Sequence, residues 1–310
     1  MDFCFEGRVD LDSLVSASVV CGDTRYGVVR CFYIIKSKFD ADIYVAWMNN
    51  LISIVNNFNL VIYTDENSAP HIKSGENPRI KIVIKPIEQF LGYQFKDYWI
   101  ANHEKNTLLN KTTSWELNML WSEKIAFVYE TADKKYFDTE FYGWCDIGYF
   151  RNTPQDTPIE SLVSWPSSEK IDKLDRTKIH YACVMNFPQV IQNLFKLIND
   201  KNSIGLPAIE IPPDQKSIGG GFFIAHKSMI EWWQNTYYNK LFLYFKNQRL
   251  VKDDQMILAD CIFSDLNSFF LYGEKQNGLD NWFMFQRIIG KPTVSPMTPS
   301  LMWASERSDV

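Results

Sequence analysis

Hydrophobic and polar positions follow two periods in the first third of the chain. Residues 28–37, VVRCFYIIKS, form a β-rich apolar run, and residues 39–58 carry apolar positions at roughly helical spacing. A second apolar run ends at Thr64 and Asp65, and residues 79–87 place isoleucine at alternate positions, as in a half-exposed strand near an edge. Strand, helix and strand in succession predict a βαβ unit and a largely parallel sheet.

The same alternation continues through the rest of the chain. The pattern predicts helices over 115–132 and 188–200 and after Lys227, strands over 141–146, over 178–185 and after Gly221, and a helix that Asp253 or Asp254 caps. We therefore expect an α/β protein with a Rossmann-like, mixed but largely parallel sheet flanked by helices, in a single domain. That domain is predicted over 28–290, after an N-terminal extension (1–27) and before a turn-rich C-terminal tail (291–310).

Composition narrows the class of protein. The 310 residues are 46% hydrophobic and 22% charged, which is typical of an ordered globular chain, and a net charge of −5 argues against nucleic-acid binding. We find no signal peptide and no apolar run long enough to span a membrane, which leaves peripheral membrane contact open. Six scattered cysteines indicate a reducing compartment, so we expect a cytoplasmic protein. The four histidines lack zinc-site spacing.

Two polar features stand beside the predicted strands. Thr64 and Asp65 end a strand, where ligands of open α/β sheets bind, although a polar turn is also the ordinary way to leave a strand. Lys124 lies on the predicted helix 115–132 beside its apolar face. Its stem either lies along apolar surface with the ammonium in water, or the ammonium reaches the phosphates of a ligand.

The stretch FYGWCDIGYF, residues 141–150, surrounds a single carboxylate, Asp146, with apolar and aromatic side chains. Burying an unpaired carboxylate costs several kcal/mol, so something must compensate it. A strand end with Gly148 beside it suits Mg²⁺ or Mn²⁺, which also hold phosphate oxygens. The alternative is that Asp146 pairs with Arg151 or caps a turn.

Two further clusters carry candidate chemistry. Gly219, Gly220 and Gly221 precede an apolar strand; they can take positive φ and let backbone N–H groups approach a ligand, or form a flexible turn. They match neither a dinucleotide fingerprint nor a P-loop. Asp253 and Asp254 precede a helix, and capping explains only one of them readily.

Three motifs stand in a recognisable order: W-x-D-x-G at 144–148, G-G-G-F-F at 219–223 and D-Q-x-x-L-A at 254–259. In this the chain resembles the HtrL/YibB (WlaTC-like) family of glycosyltransferases, and more distantly the GT-A fold of glycogenin and the lipopolysaccharide galactosyltransferases. The resemblance covers about residues 28–282. It implies a GT-A enzyme that moves a hexosyl or pentosyl group from a nucleotide-sugar donor to a glycan or glycoconjugate acceptor.

The resemblance also implies roles for residues. The second acid of a metal-binding D-x-D motif matches Asp146, with Mn²⁺ or Mg²⁺ as cofactor, while Trp144 replaces the first acid and no histidine follows His226 as a further ligand. With the strand-end pair, the predicted donor-binding set is Thr64, Asp65, Lys124, Trp144, Cys145, Asp146, Gly220, Gly221 and Phe222. The predicted catalytic set is Asp254, Gln255 and Asp253.

A physical argument supports glycosyl transfer. A nucleoside diphosphate leaving group develops negative charge that a divalent ion, Lys124 or backbone N–H groups can stabilise. Asp254 or Asp253 can stabilise the oxocarbenium-like carbon, or act as base toward an acceptor hydroxyl if the reaction inverts. Sequence does not separate the two; Asp254 is favoured because Gln255 follows it. The alternatives are a metal-dependent phosphohydrolase or nucleotidyltransferase, and a catalytically silent carbohydrate-binding protein of the same fold.

Overall fold

The protein is built on one seven-stranded sheet with helices on both faces. The computed structural model describes residues 25–185, 187–274 and 278–290. The strands are β1 (Tyr26–Phe32), β2 (Asn59–Thr64), β3 (Ile80–Ile84), β4 (Phe141–Cys145), β5 (Ile179–Cys183), β6 (Ile218–His226) and β7 (Phe269–Tyr272). The helices are α1 (Ala41–Ser53), α2 (Lys96–Lys105), α3 (Trp115–Asp133), α4 (Ser168–Asp172), α5 (Pro188–Asn199), α6 (Lys227–Lys246), α7 (Asp254–Ser264) and α8 (Phe285–Ile288).

The sheet is mixed but mostly parallel. Its strand order is β3-β2-β1-β4-β6-β5-β7, with β6 antiparallel to both of its neighbours and every other pair parallel. The predicted α/β class, with a mixed sheet and flanking helices, is therefore confirmed, and β3 lies at an edge as its alternating pattern indicates. Of the predicted extension 1–27, residues 1–24 lie outside the described residues, as does the tail 291–310. Tyr26 and Gly27 belong to β1, so the domain begins before the predicted residue 28.

Side chains of the strands alternate between two hydrophobic cores. On one face, Val29 and its neighbours pack under α3, α5, α6 and α7. On the other face, Val28 and its neighbours pack against α1, α4 and the segment that contains α8. Both faces of the central strands are buried, which explains why these strands read as continuous apolar runs in the sequence. In the part of the chain that the structure describes, no helix is long and apolar enough to cross a membrane.

Local differences from the prediction have simple causes. The first strand ends at Phe32 rather than at residue 37, because its neighbour β2 ends at Thr64, which pairs with Phe32. Helix α2 was missed because it is largely polar and buries only Trp99 and Asn102. Strand β7 was missed because it is only four residues long.

The three glycines lie inside β6, so neither the predicted positive φ nor the alternative of a flexible turn is correct. None of them has positive φ. The pairing of β6 with β5 shifts register at this point: Phe223 faces Tyr181, whereas Gly219 faces Ala182, so residues 220–222 form a bulge. Glycine is required for close packing instead, since a Cβ on Gly220 would lie 2.7 Å from Oδ2 of Asp254.

Candidate functional site

A cleft of about 390 Å³ opens beside the carboxyl ends of β1 and β4. This volume falls within the roughly 300–1,000 Å³ of ordinary small-molecule sites. Seven of the predicted site residues line it: Lys124, Trp144, Asp146, Gly221, Asp253, Asp254 and Gln255. Segments that are more than a hundred residues apart in the sequence therefore meet in one cavity.

Lys124 is the centre of this cleft. Helix α3 directs its side chain inward, and Nζ donates to Oδ2 of Asp146 (3.2 Å), to the backbone oxygen of Gly220 (2.9 Å) and to Oδ2 of Asp254 (3.0 Å). Only 7% of the side chain is exposed, so the interpretation with the ammonium in water is wrong. Because an ammonium has three N–H donors, each of them has an oxygen acceptor here.

The electrostatics of Lys124 follow from its burial and from its two acidic partners. Burial alone would lower the pKa of the ammonium, but Asp146 and Asp254 outweigh that effect, and the pKa lies above its usual value. Lys124 therefore stays charged at physiological pH. It joins the end of β4, strand β6 and the start of α7 through one buried cation.

Asp146 follows β4 directly, as predicted, and its carboxylate has partners within the protein. Trp144 Nε1 donates to Oδ1 at 2.5 Å, and Lys124 lies 3.1 Å from the same oxygen. Arg151 makes no ion pair with Asp146; its Nε donates to the backbone oxygen of Gly148. The cost of placing a carboxylate among aromatic side chains is thus offset by Lys124 and Trp144, and 35% of the Asp146 side chain remains exposed to the cleft.

The two adjacent aspartates have different environments. Asp254 is buried, and its pKa is raised to about 6: burial is the main cause, Lys124 opposes it, and Asp253 and Asp146 add to it. Asp253 precedes α7, but its side chain does not cap the helix. It pairs with Lys252 at 2.7 Å, and its Oδ1 has no hydrogen-bond partner among the described residues. Oδ1 of Asp253 is therefore a buried acceptor without a donor in the described segments, in a residue that lines the cleft.

The remaining predicted residues do not line the cleft. The Thr64 hydroxyl donates to the backbone oxygen of Phe32, and Oδ1 of Asp65 accepts from the backbone of Ser68, each at 2.7 Å. Cys145 and Phe222 are buried in the core beside α1. Gly220 lies behind the cleft, where it makes room for Asp254. Direct donor binding by these five residues stays a prediction.

Arg30 is a residue that the sequence reasoning missed. It is fully buried in β1, and its Nη2 donates to the backbone oxygen of Asp146 at 2.8 Å. Its Nε and Nη1 have no hydrogen-bond partner within the described segments, and burial lowers its pKa. The available signal was the position of Arg30, a charged residue inside the apolar run 28–37. The same kind of signal pointed to Asp146.

An aromatic wall was also missed. Phe39, Tyr44 and Trp47 contact one another edge to face, with ring centroids 5.2–5.9 Å apart, and all three line the cleft. Trp282 lines it as well. Aromatic faces of this kind stack against sugars and bases. Part of the signal was present, because Tyr44 and Trp47 stand three residues apart, on one face of the predicted helix.

The side chains of the cleft offer only a few ligands for a divalent ion. Among the residues that the structure describes, no group of three or more His, Cys, Asp and Glu side chains converges to hold a metal. Mg²⁺ is often held by one or two carboxylates together with substrate phosphates. The half-exposed Asp146 fits that arrangement, in which the diphosphate supplies further oxygen ligands.

Comparisons with known proteins do not identify a family for this chain. No protein-family model matches the chain, and no curated protein matches its sequence. The resemblance to the HtrL/YibB family therefore rests on the three motifs alone, and the fold and the cleft have to support a function by themselves.

Proposed function

We propose that the protein is a glycosyltransferase of GT-A type that transfers a sugar from a nucleoside-diphosphate sugar to an acceptor glycan. One observation carries the proposal: the Lys124 ammonium joins Asp146 to Asp254 inside a cleft at the carboxyl ends of parallel strands. Ligands of open α/β sheets bind at such ends. The three motifs that suggested the family thus contribute to one site, although they are far apart in the sequence.

Asp254 is the proposed group at the reacting carbon. With its pKa raised to about 6, it is mostly ionised at neutral pH yet still able to accept a proton. In an inverting reaction, the proton of the acceptor hydroxyl moves to this carboxylate while the hydroxyl oxygen bonds to the anomeric carbon. The bond from that carbon to the diphosphate oxygen breaks, and its electron pair leaves with the nucleoside diphosphate. In a retaining reaction, Asp254 would instead stabilise positive charge on the carbon.

Asp146 is the proposed protein ligand for Mn²⁺ or Mg²⁺. A divalent ion bound there would stabilise the negative charge that develops on the leaving diphosphate. What supports this role is the exposed third of the Asp146 side chain. Trp144 and Lys124 hold the carboxylate in place, so its orientation does not depend on the ligand.

A second candidate, a silent carbohydrate-binding protein, is favoured by one feature. Lys124 already pairs with both Asp146 and Asp254, and Trp144 occupies the position of the first acid of the D-x-D motif. In that case the aromatic wall of Phe39, Tyr44 and Trp47 would bind a sugar without chemistry.

A donor screen tests the proposal. The protein is incubated with UDP-, GDP- and TDP-sugars plus Mn²⁺, and both nucleoside diphosphate release and the unfolding temperature are followed. Stabilisation by one nucleotide together with slow diphosphate release supports transfer. Monophosphate release would point to hydrolysis, and stabilisation by free sugars alone would point to the silent protein.

We also predict that the protein is cytoplasmic. The cysteines Cys31, Cys145, Cys183 and Cys261 are free thiols, as expected in a reducing compartment. Cell fractionation followed by thiol counting of the native protein would check this prediction.

A further inference from the structure

We propose that Arg151, rather than Lys124, is the side chain that binds the phosphates of the donor. The inference rests on the proposed function and adds a residue that recognises its substrate. Arg151 lines the same cleft as Asp146 and is half-buried there. It follows β4 by six positions, in the loop that begins with Asp146.

Lys124 is poorly suited to bind the phosphates. Its three N–H donors already reach Asp146, Gly220 and Asp254, at 2.9–3.2 Å. A phosphate oxygen could contact it only by replacing one of these acceptors, and the loss of Gly220 or Asp254 would leave a buried oxygen without its cation. Arg30 is fully buried and does not line the cleft. Lys124 thus has no donor to spare, and the unpaired donors of Arg30 are buried away from the cleft.

Arg151 is held in position without an acid. Its Nε donates to the backbone oxygen of Gly148 at 2.8 Å. The guanidinium carbon lies over the rings of Trp47 (4.6 Å from the centroid) and Phe283 (5.2 Å). Within the described part of the chain, the two terminal nitrogens of Arg151 make no hydrogen bond and no ion pair. A planar donor group is thus fixed by three segments and keeps its outer edge free.

Gly148 also takes part in the packing around Arg151. A Cβ at position 148 would lie 3.2 Å from Nη2 of Arg151 and 3.2 Å from two ring atoms of Trp47. Such contacts are tight, so the absence of a side chain lets the indole and the guanidinium pack against the loop. Helix α1, the loop after β4 and the segment before α8 therefore all contact Arg151.

The charges of the cleft indicate an anionic ligand at Arg151. Its lining contains four aspartates, namely Asp146, Asp253, Asp254 and Asp280, and three cations, namely Lys38, Lys124 and Arg151. Lys124 is committed to two of the aspartates, and Lys38, whose ammonium lies 4.8 Å from the Trp121 ring centroid, has Asp253 and Asp254 among its electrostatic neighbours. The planar fork of a guanidinium offers two parallel N–H groups to two phosphate oxygens, whereas an ammonium acts as a point charge without that fixed geometry. Among the described residues, Lys38 and Arg151 are the cations of this lining that form no ion pair, and of the two only Arg151 has the planar fork.

Binding measurements with the full-length protein test the inference. The affinities of UDP, GDP, inorganic pyrophosphate and the phosphate-free uridine and guanosine are measured by calorimetry, with and without Mn²⁺. We expect Arg151→Gln to weaken nucleoside diphosphate binding about ten- to hundred-fold, as loss of a charge-assisted hydrogen bond does, and to leave nucleoside binding unchanged. Arg151→Lys should fall in between, because it keeps the charge but loses the fork.

Two further variants separate binding from structure. Arg176→Gln removes an exposed arginine that pairs with Glu140 and does not line the cleft, so it should bind as wild type does. Trp47→Leu should weaken diphosphate binding less than Arg151→Gln, since it removes the ring that packs against the guanidinium but keeps the cation. All variants are compared by their unfolding midpoints, which should stay close to that of wild type for the three arginine variants.

The possible failures are distinguishable. If wild type binds a nucleoside diphosphate and Arg151→Gln binds it equally well, the inference is overturned and the proposed function stands. If wild type binds neither the nucleoside diphosphates nor pyrophosphate, both are overturned.

Discussion

The Lys124 ammonium lies 3.0 Å from Oδ2 of Asp254, and both side chains are 7% exposed. Asp146 completes the cluster from the other side of the same ammonium, at 3.1 Å. This arrangement offsets the cost of two carboxylates in an aromatic environment. It also makes the charge of Asp254 depend on the presence of Lys124.

The first prediction concerns Lys124 and stability. Lys124→Met should lower the free energy of unfolding by about 3–5 kcal/mol at pH 8, as removal of one partner of a buried ion pair does. The loss should be smaller at pH 5. The pKa of Asp254 is raised to about 6, so at pH 5 its carboxyl is mostly protonated and does not need the lysine. Protonation favours the folded state at low pH, and this contribution disappears as the pH rises through about 6, where the charged carboxylate depends on Lys124.

Urea unfolding at the two pH values measures this effect. Lys227→Met is a matched control, because Lys227 lies on the surface, 3.8 Å from Asp138, and should change stability by less than about 1 kcal/mol. Equal losses at pH 5 and pH 8 for Lys124→Met would contradict the dependence of Asp254 on its lysine.

The second prediction compares two neighbouring glycines. A methyl group on Gly220 would lie 2.7 Å from Oδ2 of Asp254, whereas one on Gly221 would lie 3.5 Å from Oδ2 of Asp146, an ordinary contact. Gly220→Ala should therefore displace Asp254 and cost about 1–3 kcal/mol, while Gly221→Ala should have nearly the stability of wild type. Thermal unfolding of both variants decides, and equal midpoints would refute the close-packing explanation.

The third prediction separates the two aspartates. If Asp254 is the base, Asp254→Asn should keep donor binding and lower turnover about 10²- to 10⁴-fold. Wild-type turnover should fall below about pH 6, where Asp254 takes up a proton. Steady-state rates between pH 5 and pH 8 check both points, with Asp253→Asn as the comparison. Full turnover by Asp254→Asn would transfer the role to Asp253, whose Oδ1 is free.

The fourth prediction concerns the metal. Asp146→Asn should abolish the increase in donor affinity on addition of Mn²⁺, because a neutral amide holds a hard cation less well. Affinity measured without metal should change much less. Removing divalent ions from wild type with a chelator should lower donor affinity to the level of the variant. If Asp146→Asn still responds to Mn²⁺, the metal site lies elsewhere.

The site residues differ in how far sequence could identify them. Asp146 and Arg30 each place a charge inside an apolar run, which is an anomaly visible without a structure. Arg151 was noted only as a partner for Asp146, because the rings that hold it come from residues more than a hundred positions away on both sides. The same distance hid the pairing of Lys124 with Asp254.

The sequence by itself determined most of the elements around the cleft and the fold class, because apolar periodicity indicates directly which faces are buried. It also located Asp146 at the end of a strand, where the apolar run stops. Only the tertiary structure decided what compensates that charge and why Gly220 has no side chain. The first depends on Lys124, which lies on a different element from Asp146, and the second on Asp254, which reaches Gly220 only once α7 packs against β6. Local sequence patterns contain no information on such distances.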